Sequence, residues 1–219
     1  MQSFQFTPYA LLLAIAALIS VLLAFYMWDR RNSSGAKPAA ILLTALFIWS
    51  IGYGLEFLGV ELETKLFWAK IQYLGIVTVP IALFLFSLEF SGRREWVTLP
   101  KLGALLSIPL ITLLLALSND LHRLIWSEWY LESIGNTLVL RLEHGALFWV
   151  YFLYTYILLA VSTVLIFRGM SGRSKTFRRQ TVSLLVGIAI PWVGNAISNL
   201  DLISLPLDLT PFAFSSPDW

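Results

Sequence analysis

Long apolar blocks alternate with short polar segments along most of the chain. A helix needs about 20 mostly apolar residues to cross a bilayer. Six blocks are long enough: 8–27, 39–58, 66–90, 100–118, 145–167 and 180–200. Helices are predicted for all of them, because lipid offers no partner to unpaired backbone groups. Pro80, Pro109 and Pro191 fall inside blocks and are expected to kink their helices.

One long polar segment, residues 119–145, interrupts this pattern. Within it, two β-prone runs flank Gly135 and Asn136, and residues 137–143 alternate between apolar and polar. Alternation with a period of two is typical of a half-buried strand, so a small β-hairpin is predicted. An irregular loop is the alternative. We expect this loop to lie over the mouth of the helix bundle.

Composition places the chain in the membrane. Of its 219 residues, 58% are hydrophobic and 13% are charged, whereas soluble domains carry roughly 25% charged residues. The chain has no cysteine, which excludes disulfides and thiolate metal sites. No basic tail is present, so nucleic acid is not expected as a partner. The fold class predicted is all-α, a polytopic membrane helix bundle in contact with the lipid bilayer.

Lysine and arginine are distributed unevenly between the two ends of the predicted helices. The positive-inside rule makes the richer side cytoplasmic and puts the N-terminus outside. The richer side carries Arg30, Arg31, Lys37, Arg93, Arg94, Lys101, Arg168, Arg173, Lys175, Arg178 and Arg179. The other side carries Lys65, Lys70, Arg123 and Arg141. Loop 119–145 is therefore predicted to be extracellular.

Ionisable residues near the predicted spans are candidates for function. Glu56 lies close to the end of the second block, and Trp49 and Tyr53 share its helix face. Lys70 should lie at a similar depth in the next, antiparallel helix, so an ion pair between Glu56 and Lys70 is expected. Such groups are costly in a membrane and by default mark a functional site. A structural pair that locks two helices is the alternative.

Further polar residues extend this candidate site. Trp68 and Gln72 are four residues apart, and Trp192 and Asn195 lie just after Pro191. A polar pocket and plain hydrogen bonds between helices both remain open for them. With loop 119–145 as a lid, the predicted ligand pocket comprises Tyr53, Glu56, Trp68, Lys70, Gln72, Trp192 and Asn195.

The sequence shows no catalytic constellation and suggests no cofactor. His122, His144 and Glu143 lack the regular spacing of a metal site, so no metal is predicted. A retinal protein needs a lysine in its last span, and no lysine follows Lys175. Glu89 is expected to form a surface pair with Arg93, four residues later.

Several motifs occur in an order that is characteristic of a known family. They are WSIGYGLEFL, LETKLFWAKIQYLGI, SNDLHRLIW, EHGALFWVYFLYTYILL, IPWVGN and DLTPFAF. From Tyr9 to Phe214 the chain resembles the seven-helix N-terminal sensor region of bacterial and archaeal histidine kinases and diguanylate cyclases. The resemblance adds His122 to the candidate ligand-binding residues. The family often has a second histidine after it, where this chain has Arg123.

The resemblance also implies an architecture and a function. It implies one sensor domain over 1–219 that detects an extracellular or membrane stimulus, such as a small molecule, and signals to a cytoplasmic output domain. Homodimers are usual in such kinases. The family's seventh helix begins at a motif like DLTP, so six complete spans and the start of a seventh are expected in a fragment. A sensor region is not an enzyme. The alternatives are a small-solute transporter or permease and a structural membrane subunit.

Overall fold

The structure is a computed structural model, which describes residues 5, 7–134, 137–170, 179 and 182. In chain order the elements are α1 (Pro8–Asp29), α2 (Ala36–Leu58), α3 (Leu62–Phe90), a 3₁₀ turn (Arg94–Trp96), α4 (Leu99–Leu117), the one-turn α5 (Asn119–His122), β1 (Trp126–Ile134), β2 (Thr137–His144) and α6 (Ala146–Gly169). Within the described part, five helices can cross a membrane by length and composition. They confirm the first five predicted spans. The predicted sixth span and the start of a seventh lie outside the described residues.

The predicted β-hairpin is confirmed. Strands β1 and β2 pair antiparallel, from Ile134 opposite Thr137 to Trp126 opposite His144, with one irregularity between Trp126 and Glu128. The hairpin lies between α4 and α6 in the chain and packs on α3. We call this end of the bundle, where α2 and α4 end and α3 and α6 begin, the hairpin end. The opposite end, where α1, α3 and α6 end, is the basic end.

Helix α3 forms the centre of the bundle. It packs against α2, α4, α6 and the hairpin and is the most buried of the five long helices. Helix α1 packs on α2 and leaves Leu11, Leu22 and Phe25 exposed. In a membrane these side chains face lipid, because a helix that is apolar all round has no side suited to water.

A glycine brings α2 and α3 together. A methyl group added at Gly75 of α3 would lie 2.9 Å from the Trp49 backbone nitrogen and closer still to the Ala45 carbonyl oxygen. Small residues at such contacts let two helix backbones approach closely inside a membrane. At Gly75, α2 and α3 are therefore in contact through their backbones.

Within the described residues, Pro80 and Pro109 lie inside long helices, and tyrosines of α6 satisfy the carbonyls that they free. Pro191 lies outside the described residues. Pro80 has no N–H, so the Ile76 carbonyl loses its helical partner. Tyr151 donates to that oxygen at 2.8 Å. Pro109 frees the Leu105 carbonyl of α4 in the same way. Tyr154 donates to it at 2.7 Å. Helix α6 is thus hydrogen-bonded to both proline-containing helices.

Asn119 fixes the base of the hairpin. Its side chain is fully buried, donates to the Trp126 carbonyl at 2.9 Å and accepts the N–H groups of Ile125 and Trp126 at 3.0 Å. The Trp126 ring packs edge-on against buried Tyr73 of α3, with centroids 5.4 Å apart. A methyl group at Gly145 would lie 2.6 Å from the Leu124 carbonyl carbon. These contacts give the residues of SNDLHRLIW and EHG a structural role at the base of the hairpin.

At the basic end, the predicted pair between Glu89 and Arg93 is wrong. The Glu89 carboxylate accepts the Gly35 N–H at 2.6 Å, and its other oxygen lies 3.8 Å from Arg94 Nε. Gly35 has a φ of +81°, which favours glycine over other residues. The carboxylate thus ties the α1–α2 loop to the end of α3, because the loop presents an unused backbone donor.

Candidate functional site

A buried polar cluster lies at the hairpin end, between α2 and α3, and consists of Glu56, Lys65 and Gln72. Gln72 donates to the Glu56 carboxylate at 2.6 Å. Lys65 Nζ donates to the Glu56 backbone carbonyl at 2.8 Å. Lys65 is fully buried, and Glu56 and Gln72 are 6% and 5% exposed. A lysine and a glutamate shielded from water are costly unless each has a partner.

Helix geometry explains why these side chains meet. Lys65 and Gln72 are seven residues apart, which is close to two helical turns, so they lie on one face of α3. On α2, Gly52 lies one turn before Glu56. A methyl group at Gly52 would lie 2.9 Å from Gln72 Cγ. The glycine therefore gives the Gln72 side chain the room that it needs to reach Glu56.

Gln5 connects this region to the hairpin. Its side-chain amide donates to the Phe57 carbonyl at 2.8 Å and to the Leu138 carbonyl of β2 at 2.9 Å. Its side-chain oxygen accepts the Leu138 N–H at 3.0 Å, and its backbone N–H donates to the Leu58 carbonyl at 2.8 Å. Phe57, the residue after Glu56, is thus linked to β2 through hydrogen bonds to the side chain of Gln5.

The predicted ion pair between Glu56 and Lys70 is wrong. Lys70 Nζ instead pairs with Asp120 of α5. Lys70 lies five residues after Lys65, which is about 140° further around the helix. It therefore points away from α2 and towards α5, where Asp120 carries the opposite charge. Lys65 is the lysine next to Glu56.

The predicted ligand pocket did not include Lys65, which the sequence offered as one of the charges at that end and as part of the motif LETKLFWAKIQYLGI. The third span was predicted to begin at residue 66, whereas α3 begins at Leu62. Lys65 therefore belongs to the helix rather than to the loop. Its spacing of seven residues from Gln72 is the sequence signal that could have revealed it.

Tyr53 and Trp68 are placed beside aromatic neighbours. The Tyr53 ring packs on Phe57, with centroids 4.9 Å apart, and the half-buried Trp68 contacts Phe67 at 5.2 Å. Among the predicted pocket residues within the described part of the chain, Glu56 and Gln72 are hydrogen-bonded to each other. Trp192 and Asn195 lie outside the described residues.

His122 closes the turn between α5 and β1. Its Nδ1 accepts the Leu124 N–H at 3.0 Å, and its Nε2 lies 3.1 Å from Ser118 Oγ. Because Nδ1 accepts, the neutral ring carries its proton on Nε2 and donates it to Ser118. His144 stacks on Phe148, with centroids 3.7 Å apart. The described residues contain no group of three potential metal ligands.

Chemically, this arrangement is suited to the coupling of movements between the hairpin and the helices. The buried polar cluster joins α2 to α3 through charged and amide groups, and Gln5 joins the end of α2 to the hairpin. A displacement of β2 would therefore act on the helix end that carries Glu56.

Comparison with known proteins gives one family. The chain matches the family described as the N-terminal 7TM region of histidine kinase, over residues 12–216. Neither the comparison with curated proteins nor that with solved structures gives a significant match.

Proposed function

The chain belongs to the family of N-terminal 7TM regions of histidine kinases, and we propose that its hairpin end receives the stimulus. The chain is a multi-pass membrane protein and a sensory input region of the histidine kinase type, a region that is not itself catalytic. In the proposal, the stimulus is an extracellular or membrane molecule, and the bundle passes the change to a cytoplasmic output domain.

Charge supports the proposed orientation. Arg30, Arg31, Arg93, Arg94 and Arg168 gather at the basic end, which the positive-inside rule makes cytoplasmic. The hairpin and the N-terminus are then extracellular. The proposal extends the bundle to six spans and the start of a seventh, through residues beyond the described part.

The observation that carries the proposal is the buried polar cluster and its connection to the hairpin through Gln5. Ionisable side chains inside a membrane are costly and by default mark a functional site. The proposed ligand site surrounds this cluster and retains the predicted residues: Tyr53, Glu56, Trp68, Lys70, Gln72, His122, Trp192 and Asn195.

The proposed mechanism requires two packings of the bundle with different affinities for the stimulus. A ligand that displaces β2 would act through Gln5 on the end of α2. Because Gln72 and Lys65 both hold Glu56, α2 and α3 would move relative to each other. Helix α3 reaches the basic end, where it lies next to α6, so the shift arrives on the proposed cytoplasmic side.

Glu56→Gln tests this function in a full-length histidine kinase that carries this region. The change removes the charge with almost no change of size and weakens a charge-assisted hydrogen bond by roughly 1 kcal/mol. We expect the basal autophosphorylation rate in membrane vesicles to shift by about fivefold, at normal expression.

Glu63→Gln is the matched control, since Glu63 is an exposed carboxylate in the first turn of the same α3. It should leave the rate within about twofold, as exposed charges contribute little. A Glu56→Gln protein that is expressed normally and phosphorylates like wild type would remove Glu56 from the signalling path.

A further inference from the structure

A groove between α3 and α6 opens at the basic end of the bundle. It has a volume of about 350 Å³, within the usual size range of small-ligand sites. The α6 wall consists of Ala160, Val161, Val164 and Leu165, and the α3 wall consists of Phe84 and Leu88. Apart from its open end, the groove is apolar.

Arginines stand at the open end of the groove. Arg93 follows α3 and Arg168 lies in the last turn of α6, and both line the groove together with Trp96. Both arginines are exposed, and within the described part of the chain neither forms an ion pair. Glu89 does not neutralise Arg93, because its contacts are to Gly35 and Arg94.

This polarity matches one kind of molecule in particular. A phospholipid has apolar chains below a charged phosphate, and the groove has apolar walls below two guanidinium groups. From Ala160 to Arg168 the α6 wall rises about 12 Å along the helix, long enough for the upper part of an acyl chain. Trp96 and Lys101, whose ammonium lies 5.4 Å from the indole centroid, mark the membrane–water interface.

We propose that this groove binds an anionic phospholipid, with its phosphate between Arg93 and Arg168 and one acyl chain along Val161 and Val164. Basic pockets between membrane helices are suited to anionic lipid head groups, and arginine binds phosphate through parallel N–H groups. The bound lipid would bridge the ends of α3 and α6, so the lipid composition of that leaflet would bias how these helices pack.

Native mass spectrometry of the full 219-residue chain tests this, after purification with equal amounts of phosphatidylglycerol and phosphatidylcholine of the same acyl chains. Wild type should retain phosphatidylglycerol preferentially. Each juxtamembrane arginine contributes about fivefold in affinity. The double variant Arg93→Gln/Arg168→Gln should therefore lose roughly 25-fold and with it the preference.

The matched control is Arg30→Gln/Arg31→Gln, which removes the same charge from the same end but outside the groove lining. It should keep the preference. Val164→Trp keeps both arginines and fills the groove, so it should reduce retention of phosphatidylglycerol as well. Equal losses in the two double variants, or none in Val164→Trp, would show that the groove is not the site.

Competition separates a lipid site from a simple phosphate site. Millimolar inorganic phosphate or glycerol phosphate should leave the retained phosphatidylglycerol in place, because neither can occupy the apolar walls. Displacement by either anion at these concentrations would overturn the lipid assignment and leave only an anion site.

Discussion

At the residue scale, the absence of a single methyl group decides how closely α2 and α3 pack. At Gly75, a Cβ would lie 2.9 Å from both the backbone nitrogen and the Cβ of Trp49. The backbones of α2 and α3 cannot move apart at this point alone, since both are helical here and have buried contacts on this face. The residue that is best for an isolated helix, alanine, is therefore unsuitable at this position.

Gly75→Ala should destabilise the protein by about 1–3 kcal/mol, the usual cost of overpacking. The measurement is the unfolding free energy in mixed micelles. Gly103→Ala in α4 is the control, since a methyl group there has no atom within 4 Å. The control should be neutral or stabilising by up to about 1 kcal/mol. Equal effects of the two changes would contradict a close α2–α3 contact.

Lys65 and Lys70 show which contacts of single residues the sequence can predict and which it cannot. Glu56 and Gln72 could be assigned to one polar site from sequence, because their polarity stands out against apolar neighbours, and the structure brings them into direct contact. Lys70 was paired with Glu56 by depth alone, although depth does not determine which side of a helix a residue occupies. The start of α3 at Leu62 rather than at residue 66 puts Lys65 inside the helix. Lys65 lies about 140° from Lys70 around the helix, and it is the lysine that contacts Glu56.

At the element scale, α6 holds the two proline-containing helices. Pro80 and Pro109 each leave a carbonyl without its helical N–H donor. The O–H groups of Tyr151 and Tyr154 donate to these two carbonyls instead. These hydrogen bonds fix the position of α6 along α3 and α4. Apolar packing alone would distinguish poorly between neighbouring positions of the helices along one another.

Tyr151→Phe should cost about 1 kcal/mol of unfolding free energy, since it leaves the Ile76 carbonyl without a donor. In a Pro80→Ala background the cost should fall, because the new Ala N–H can bond to the same oxygen. A double-mutant cycle measures this difference as a coupling energy.

Tyr26→Phe serves as a control, because Tyr26 is half exposed near the end of α1 and should cost little. If Tyr151→Phe costs the same with and without Pro80, the tyrosine does not act through the carbonyl that the proline frees.

Elements differed in how well their sequences predicted them. The five apolar spans and the hairpin follow from local patterns, namely long apolar runs and alternation around a turn. The partners of Tyr151 and Tyr154 depend on where α6 lies relative to α3 and α4. No pattern within one helix carries that information, so the sequence does not predict these two hydrogen bonds.

At the scale of the whole molecule, the two ends of the bundle differ in chemistry. The hairpin end carries a two-stranded sheet with a cross-strand pair of Arg141 and Glu132. The basic end carries short loops rich in arginine. This asymmetry supports the proposed orientation, in which the stimulus and the output lie on opposite sides of the membrane.

Cysteine labelling tests the orientation without background, because the chain has no cysteine of its own. Ser127→Cys places a thiol in the hairpin, and Ser34→Cys places one in the α1–α2 loop. In intact cells a membrane-impermeant maleimide should label the first variant and should reach the second only after permeabilisation. The reverse pattern would place the hairpin in the cytoplasm and refute the proposed direction of signalling.

The link through Gln5 also sets an order for biosynthesis. Gln5 and Leu138 are 133 residues apart, so at ribosomal rates their contact must wait roughly 7–27 s after Gln5 is made. The partners of Gln5 on α2 are available much earlier, at a separation of 52 residues. In the nascent chain the contact with α2 is therefore possible well before the hairpin end can close. A quality-control protease that inspects newly inserted chains would meet the open form throughout that interval.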